Sequence, residues 1–379
     1  MDITQFIAGS TVKQPTGYKS FFPEAVNHTF TWKEASINVL LEKATLQLGA
    51  LNSFSHFVPD IDLFIRMHVV KEATESSRIE GTRTNIEEAL VRAADLVPEK
   101  RDDWQEVNNY VRAMNYAIPR LQTLPLSSRL LRETHAILLE GARGEHKLPG
   151  EFRASQNWIG GASLNDAVFI PPPHHELGRL MGDLENFLHN ENAVVPNLIK
   201  IALAHYQFET IHPFLDGNGR IGRLMITLYL IENGIIDKPV LYLSDYFEKN
   251  KGDYYDNLTA VRTKNDLTRW IRFFLMAVMQ TCERATQSLT SIMQLRRDCE
   301  GEKILALGKK APNAKKVLDY LFTQPVVTAQ QVSELLKISL VSSYKLIDDF
   351  VKVGILEEAT GFKRNRFFIF REYLSIFHR

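Results

Sequence analysis

The sequence predicts a mainly α-helical chain, broken by one short β-hairpin and closed by a small α+β domain. Three observations carry that expectation. Residues 201–210 (IALAHYQFET) and 221–231 (IGRLMITLYLI) are apolar at helical spacing and long enough to be buried helices. Residues 150–173 concentrate glycine and proline around a polar turn, which argues against helix. Beyond Arg296 the composition shifts to mixed charge, followed by short helical patterns and an alternating stretch.

In chain order, residues 65–80 have a helical pattern, and Gly81 is placed to end it in a left-handed conformation. Ser76 and Glu80 lie four apart and share a face of that helix. Thr84 and Glu87 form a capping-box signature that opens the next helix. Residues 150–161 (GEFRASQNWIGG) and 167–173 (AVFIPPP) read as two short extended segments, and His174 and His175 after them as surface residues. A helical stretch (YYDNLTAVR) begins at Tyr254. Past residues 296–313, helices are expected over 315–322, after the capping residue Thr328, and over about 340–353, where Gly354 stops the last. Residues 355–370 then alternate like a hairpin. Helix, helix-turn-helix and β wing suggest a winged-helix domain. The expected division is 1–110, an N-terminal helical region; 111–295, a core; and 310–379, the winged-helix domain.

Between the two buried helices the chain reads HPFLDGNGRIGR, from His212 to Arg223. Gly217 and Gly219 have no Cβ, so the backbone can turn tightly and bring N–H groups close to a ligand. The first turn of the following helix, through Asn218, Ile221 and Gly222, adds unpaired N–H donors backed by the positive end of the helix dipole. Together these form an anion cradle. Arg220 and Arg223 are three apart and suit bidentate phosphate contact. Asp216 could hold Mg²⁺ bridging phosphate oxygens. His212 is the one group in the stretch able to take a proton near neutral pH.

Other readings of the same residues carry less. Gly217, Gly219 and Gly222 satisfy G-x-G-x-x-G, but that fingerprint needs a preceding strand, and the preceding segment is helical. The Lys-Ser/Thr pair of a Walker A loop is missing. His205, Glu209 and His212 share a helical face that could bind zinc, yet His205 reads better as a packed histidine.

The stretch resembles the Fic motif, H-x-F-x-(D/E)-G-N-G-R-x-x-R, at every defined position. A Fic-type helical core and transfer of AMP from ATP to a Ser, Thr or Tyr hydroxyl of a protein are what the resemblance implies. His212 would be the general base and Asp216 the metal ligand. Gly217, Asn218 and Gly219 would bind the phosphates, Arg220 and Arg223 their β/γ end, and Phe214 would pack to fix the loop. Ser76-Ser-Arg-Ile-Glu80-Gly81 resembles the family's inhibitory motif, (S/T)-x-x-x-E-(G/N), in the class that carries it before the core. Glu80 would then pair with Arg223 and block productive ATP placement. In some relatives the glutamate also supports AMP removal. The 150–173 excursion resembles the Fic flap, with Ile159, Gly160 and Gly161 near nucleotide or target. Tyr254 would lie near adenine, and Arg262 stands where the family often has asparagine. Self-association into a homodimer is common among relatives of this arrangement.

Composition bounds the rest. With 45 Lys+Arg against 45 Asp+Glu, the whole chain is no dedicated nucleic-acid or anionic-membrane binder. Residues 315–379 carry ten Lys/Arg against seven Asp/Glu. Lys363, Arg364 and Arg366 on the wing favour DNA, whereas Asp348 and Asp349 on the expected recognition helix oppose it, so DNA contact and protein interaction both stay open. Cys282 and Cys299 offer no disulfide framework and fit a reducing cytoplasm. No apolar run approaches the roughly 20 residues needed to span a bilayer. A nucleotide-sensing winged-helix regulator, and a relative transferring another phosphate-containing group, are the competing functions.

Overall fold

In the computed structural model, which describes residues 1–359 and 366–378, fifteen α-helices wrap one continuous apolar core. The N-terminal region is not helical throughout, as expected, but opens with an antiparallel hairpin, β1 (Gly9–Lys13) and β2 (Lys19–Pro23), paired Gly9 to Pro23. Its turn signal, Gln14-Pro-Thr-Gly17, stands in the sequence, and Gly17 takes φ +99° there. Helices α1 (Ala35–Phe57) and α2 (Ile61–Ile79) follow. Gly81 ends α2 at φ +106°, the left-handed stop its sequence position predicts.

The short α3 (Ile86–Ala89) is capped one residue later than expected. Asn85 is the N-cap and Glu88 closes the box, in place of Thr84 and Glu87. Both frames have a capping side chain followed three residues on by glutamate; the structure uses the asparagine, while Thr84 is buried. Helices α4 (Arg101–Arg120) and α5 (Ser128–Leu138) pack together. The 150–173 excursion is flatter in hydrogen bonding than a hairpin: its two arms meet in one isolated bridge, Ile159 to Phe169. Gly160 and Gly161, at φ +68° and +74°, turn the chain between them, and Asp166 caps the turn through the amides of Ala162 and Ser163.

The centre of the molecule is α6 (Leu177–His189), α7 (Asn197–Ile211) and α8 (Asn218–Glu232), with α7 and α8 enclosed on every side as their continuous hydrophobicity demands. Beyond them lie α9 (Ser244–Lys249), α10 (Lys251–Lys264) and the long α11 (Leu267–Asp298), which runs along α1. The mixed-charge stretch 296–313 passes through a π turn and a 3₁₀ turn, kinked at Gly308 (φ +55°), into α12 (Ala311–Thr323). Strand β3 (Val326–Val327) leads to α13 (Ala329–Leu336), capped by Thr328 in a full capping box with Gln331. Helix α14 (Leu340–Lys352) ends at Gly354, and strands β4 (Glu357–Glu358) and β5 (Phe368–Ile369) pair antiparallel, in the order β3-β5-β4. Lys363 and Arg364 lie outside the described residues. A last helix, α15 (Arg371–Ile376), was not expected from the sequence. Among the described residues no helix is long and apolar enough to cross a membrane.

Candidate active site

The α7–α8 loop is built as a rigid turn. Helix α7 stops because His212 turns left-handed at φ +51°, and Gly217 repeats that conformation at φ +77° to start α8. Asn218 fastens the loop from within: its Oδ1 accepts from the Phe214 amide at 2.8 Å and its Nδ2 donates to the Phe214 carbonyl at 2.9 Å. The side chain thus engages its oxygen and one of its two amide N–H groups in holding the loop. Its backbone N–H, with those of Gly219 and Arg220, is among the first-turn donors that have no intrahelical acceptor. The Gly217 N–H is taken by Asp216 Oδ1 at 2.6 Å. Ile221 packs in the core, and Gly222 lends its carbonyl to His205.

Phe214 is fully buried and stacks on His135, 3.8 Å between ring centres. His135 accepts from the Gly150 amide through Nδ1, so its Nε2–H donates to the Asp216 carbonyl at 2.9 Å. Burial holds that imidazole down at about 4. Arg153, itself buried, fixes the other side of the loop by donating to the carbonyls of His212, Ile211 and Pro172. Asn157 adds bonds to the carbonyls of His212 and Phe214. Neither His135, Arg153 nor Asn157 is singled out by the sequence, because nothing local distinguishes a residue whose partners in the α7–α8 loop lie 55 or more positions away.

Around this turn opens a cavity of about 550 Å³ lined by His212, Gly219, Arg223, Glu80, Tyr254 and the flap residues Trp158, Ile159 and Gly160. Gly161 turns away from it, its place filled by the backbone of Asp166. Burial, then Arg262 and Arg153, press the His212 imidazole down to about 3, so it stands neutral near pH 7. Tyr254 is buried at the cavity wall, donating to His205 Nε2 at 2.8 Å and stacked on Phe247. With its Nδ1–H on the Gly222 carbonyl, His205 has both ring nitrogens occupied, as a packed helix histidine should. Arg262 binds Thr210 and the Glu209 carbonyl, and lies 4.0 Å over the Phe169 ring of the flap.

The two motif arginines part company. Arg223 faces the cavity, donating to Glu80 at 2.7 Å and to the Ser76 hydroxyl and carbonyl at 2.9 and 2.8 Å. Burial opposes its charge, but Glu80 and further anionic neighbours more than offset that and hold its pKa above the ordinary value. Arg220 lies 3.4 Å from both Glu106 and Asp216 and is not among the residues that line the cavity. Of the two arginines expected to reach one polyphosphate, Arg223 is the one at the cavity. A Cβ at Gly219 would fall 2.1 Å from Glu80 Oε1, so the glycine makes room for the carboxylate as well as for a ligand. The Asp216 carboxylate is 44% exposed and bonded through Oδ1, leaving Oδ2 open. Among the described residues no three His, Cys, Asp or Glu side chains gather as a metal site. One open carboxylate still fits the way Mg²⁺ binds, through one or two carboxylates plus phosphate oxygens.

This geometry matches known families. The Fic/DOC family N-terminal sequence profile matches residues 39–119, and the Fic/DOC family profile matches residues 125–230. The chain belongs to the Fic/DOC family. It is 34% identical over 135 residues, 35% of this chain and 24% of the other, to a protein adenylyltransferase Fic of Aedes aegypti. A protein adenylyltransferase Fic of Drosophila grimshawi is 30% identical over 188 residues, 48% of this chain and 35% of that one. The match thus spans only a quarter to a third of the length of these curated relatives. A Fic family protein of Desulfovibrio desulfuricans G20 shares the fold over 91% of this chain and 98% of its own, with a TM-score of 0.58 at 20% identity.

Proposed function

We propose that this Fic-family chain transfers AMP from ATP to Ser, Thr or Tyr hydroxyls of proteins, releases pyrophosphate, and rests with Glu80 on Arg223. The observation that carries the reading is the single cavity in which His212, the α8 N-terminus and Arg223 meet. The curated relatives that share the motif are named protein adenylyltransferases, which supports the enzyme over a nucleotide sensor. A sensor also has no use for an imidazole in the cavity.

The attacking hydroxyl oxygen would form a bond to the α-phosphorus as the bond from that phosphorus to the β-bridging oxygen breaks. His212 would take the hydroxyl proton. A ring held at about 3 is a weak base, and the negative charge of a bound triphosphate would raise it toward a useful value. The first-turn amides of Asn218, Gly219 and Arg220 would carry phosphate charge, and Arg223 the leaving pyrophosphate. Asp216 would hold Mg²⁺, which would neutralise phosphate charge when bound. Arg220, tied to Asp216 and Glu106, would orient that carboxylate.

In the resting state Glu80 occupies the guanidinium that a terminal phosphate would need. Keeping 99% of molecules blocked requires about 2.7 kcal/mol, half the full two-sided shift, and a largely buried Arg–carboxylate pair is of that order. Tyr254 and Arg262 would line the base, and the flap would hold the target segment by strand addition. A winged-helix label for residues 310–379 is supported by the order helix, helix, helix, hairpin. Its described basic wing residue, Arg366, is bound to Glu358, and Lys310 reaches Asp349 on α14, which favours protein contact over DNA. A cytoplasmic homodimer modifying protein partners or itself completes the proposal, in keeping with two buried, unpaired cysteines.

Wild type and Glu80→Gly incubated with each α-labelled nucleotide and cell lysate test the whole reading. Strong labelling of protein by ATP in Glu80→Gly, weak in wild type, is expected. Equal labelling in both would remove the brake, labelling by another nucleotide would change the transferred group, and no labelling would leave the sensor.

A further inference from the structure

The flap has little pairing of its own. Among the described residues, the backbone bonds between its arms all end on Ile159. The Ile159 amide donates to the Phe169 carbonyl at 2.8 Å, and its carbonyl accepts from Val168 and Phe169 at 3.0 and 3.1 Å. The Gln156 side chain adds one bond, to the Pro171 carbonyl. A ribbon so thinly paired is marginal by itself in water, so its register must be set from outside.

Two groups from distant parts of the chain grip the return arm. Phe21 of β2 donates its amide to the Ile170 carbonyl at 2.9 Å, and its ring centre lies 5.8 Å from that of Phe169. Arg262 of α10 lies over the same Phe169 ring, its guanidinium carbon 4.0 Å from the ring centre. The guanidinium is itself anchored. Its Nε donates to the Thr210 hydroxyl and its Nη2 to the Glu209 carbonyl, both at 3.1 Å. Both partners sit in the last turn of α7. Four residues on from Glu209 stands Pro213, which has no N–H, so the helix gives that carbonyl no donor at its usual spacing. A cation there also suits the negative end of the helix dipole. His212 follows directly, and after burial the Arg262 charge is the chief influence holding its ring down. One guanidinium thus bridges the flap and the turn that carries the proton acceptor.

We propose that Arg262 is a positioning residue for the flap: anchored on the end of α7 and stacked on Phe169, it fixes the return arm relative to His212, so that a target segment paired to the first arm presents its hydroxyl in register. With β2 bonded to the return arm, the first arm is the edge left open; among the described residues the backbone groups of Trp158 and Gly160 have no partner. Arginine suits the position because its plane offers a face to the ring and edge N–H groups to two acceptors at once, which an ammonium cannot do. This rests on the reading of the flap as the strand that holds the target.

The test is amide hydrogen exchange in the full chain, read at Ile159, Val168 and Phe169. Arg262→Met should speed exchange there roughly tenfold, the scale of a partly desolvated cation lost from a ring. Phe169→Leu should do the same, and the double variant should add nothing to either, since all three lose one shared contact. Phe169→Tyr keeps the ring face and should keep the protection. In the Glu80→Gly background, transfer of label from α-labelled ATP to lysate proteins should fall by a similar factor in Arg262→Met and Phe169→Leu, and survive in Phe169→Tyr. Unchanged exchange in Arg262→Met overturns the proposal whatever the Tm does, because the arginine then only closes the end of α7. Additive effects in the double variant overturn it too, as does full labelling by a loosened flap. If Glu80→Gly alone labels nothing, the transfer reading fails by a measurement separate from the exchange, and the role in target docking falls with it.

Discussion

Glu209 shows how one side chain can record a conflict between stability and function. It lies one turn before His212, buried at 7% exposure on the cavity wall, and its Oε1 has no hydrogen-bond partner. Gly222 leaves room for it, since a Cβ there would sit 2.4 Å from that oxygen. Burial, opposed by Arg223 and reinforced by Glu80, pushes its carboxyl up to about 7. Below pH 4.5 the group is protonated in folded and unfolded chains alike and costs nothing. As pH rises from 4.5 to 7 only the unfolded chain ionises freely, so stability falls, by an upper bound of about 3 kcal/mol. Glu209→Gln should escape that loss and be more stable than wild type at pH 8 but not at pH 4.5, in urea melts at both values. His212 differs in kind: His212→Ala should lower the kcat of Glu80→Gly roughly 10²–10⁴-fold, with a modest fall in the melting curve because alanine is strained at the left-handed φ of +51°.

At the scale of elements, the loop and its two helices matter more than any one ligand. Asn218→Ala removes both of its bonds to Phe214 and leaves the buried Phe214 amide unpaired, while the carbonyl keeps Asn157. A cost of about 1–3 kcal/mol is expected, with nucleotide affinity lost alongside it; calorimetry and a denaturant melt on one preparation check both. This element was legible in sequence because its signals are local: apolar helical spacing on both sides, and two glycines where the backbone must turn. The end of α2 at Gly81 and the caps at Thr328 and Gly354 were legible for the same reason. The pairing of Glu80 with Arg223 spans 143 positions and came from the resemblance, not from spacing. The two bonds from Asn218 to Phe214 that hold the loop were not legible, a geometry that residue type does not reveal. The hairpin β1–β2 carried only a turn signal, and β2 is held by a tertiary contact, the Phe21 amide on the Ile170 carbonyl, that no local pattern records. The helix α15 escaped because its apolar face, Tyr373 to Phe377, follows directly on a strand and reads as more of the same alternation.

Across the whole molecule, the C-terminal segment is docked on α2 rather than tethered beyond it. Phe322 meets Phe64 edge-on at 5.6 Å, Phe377 covers His68 at 5.2 Å, and Arg371 pairs with Glu87 at 2.7 Å. Glu87 lies on α3, while Phe64 and His68 lie on the helix just before it, which carries Ser76 and is capped by Glu80. Its titration should therefore report the docking. Burial holds His68 down at about 4, with Lys71 adding to the effect, so the folded chain keeps it neutral while the unfolded chain takes a proton below about 6.5. Stability linked to His68 is complete above that value and declines as pH falls toward 4. His135, His205 and His212 are depressed in the same sense, chiefly by burial, so their losses add, offset in part by the penalty that Glu209 sheds over the same fall in pH. The Tm should drop by something on the order of 10 °C between pH 7 and pH 5. Phe377→Ala should let water reach His68 without touching the other three. Its ring protons should then titrate near 6.5 by NMR instead of near 4, and the acid loss should become shallower by about one proton. If His68 in Phe377→Ala still titrates near 4, the C-terminal helix is not what keeps that face of α2 dry, and the link between the C-terminal segment and the inhibitory helix is mechanical contact without solvent exclusion.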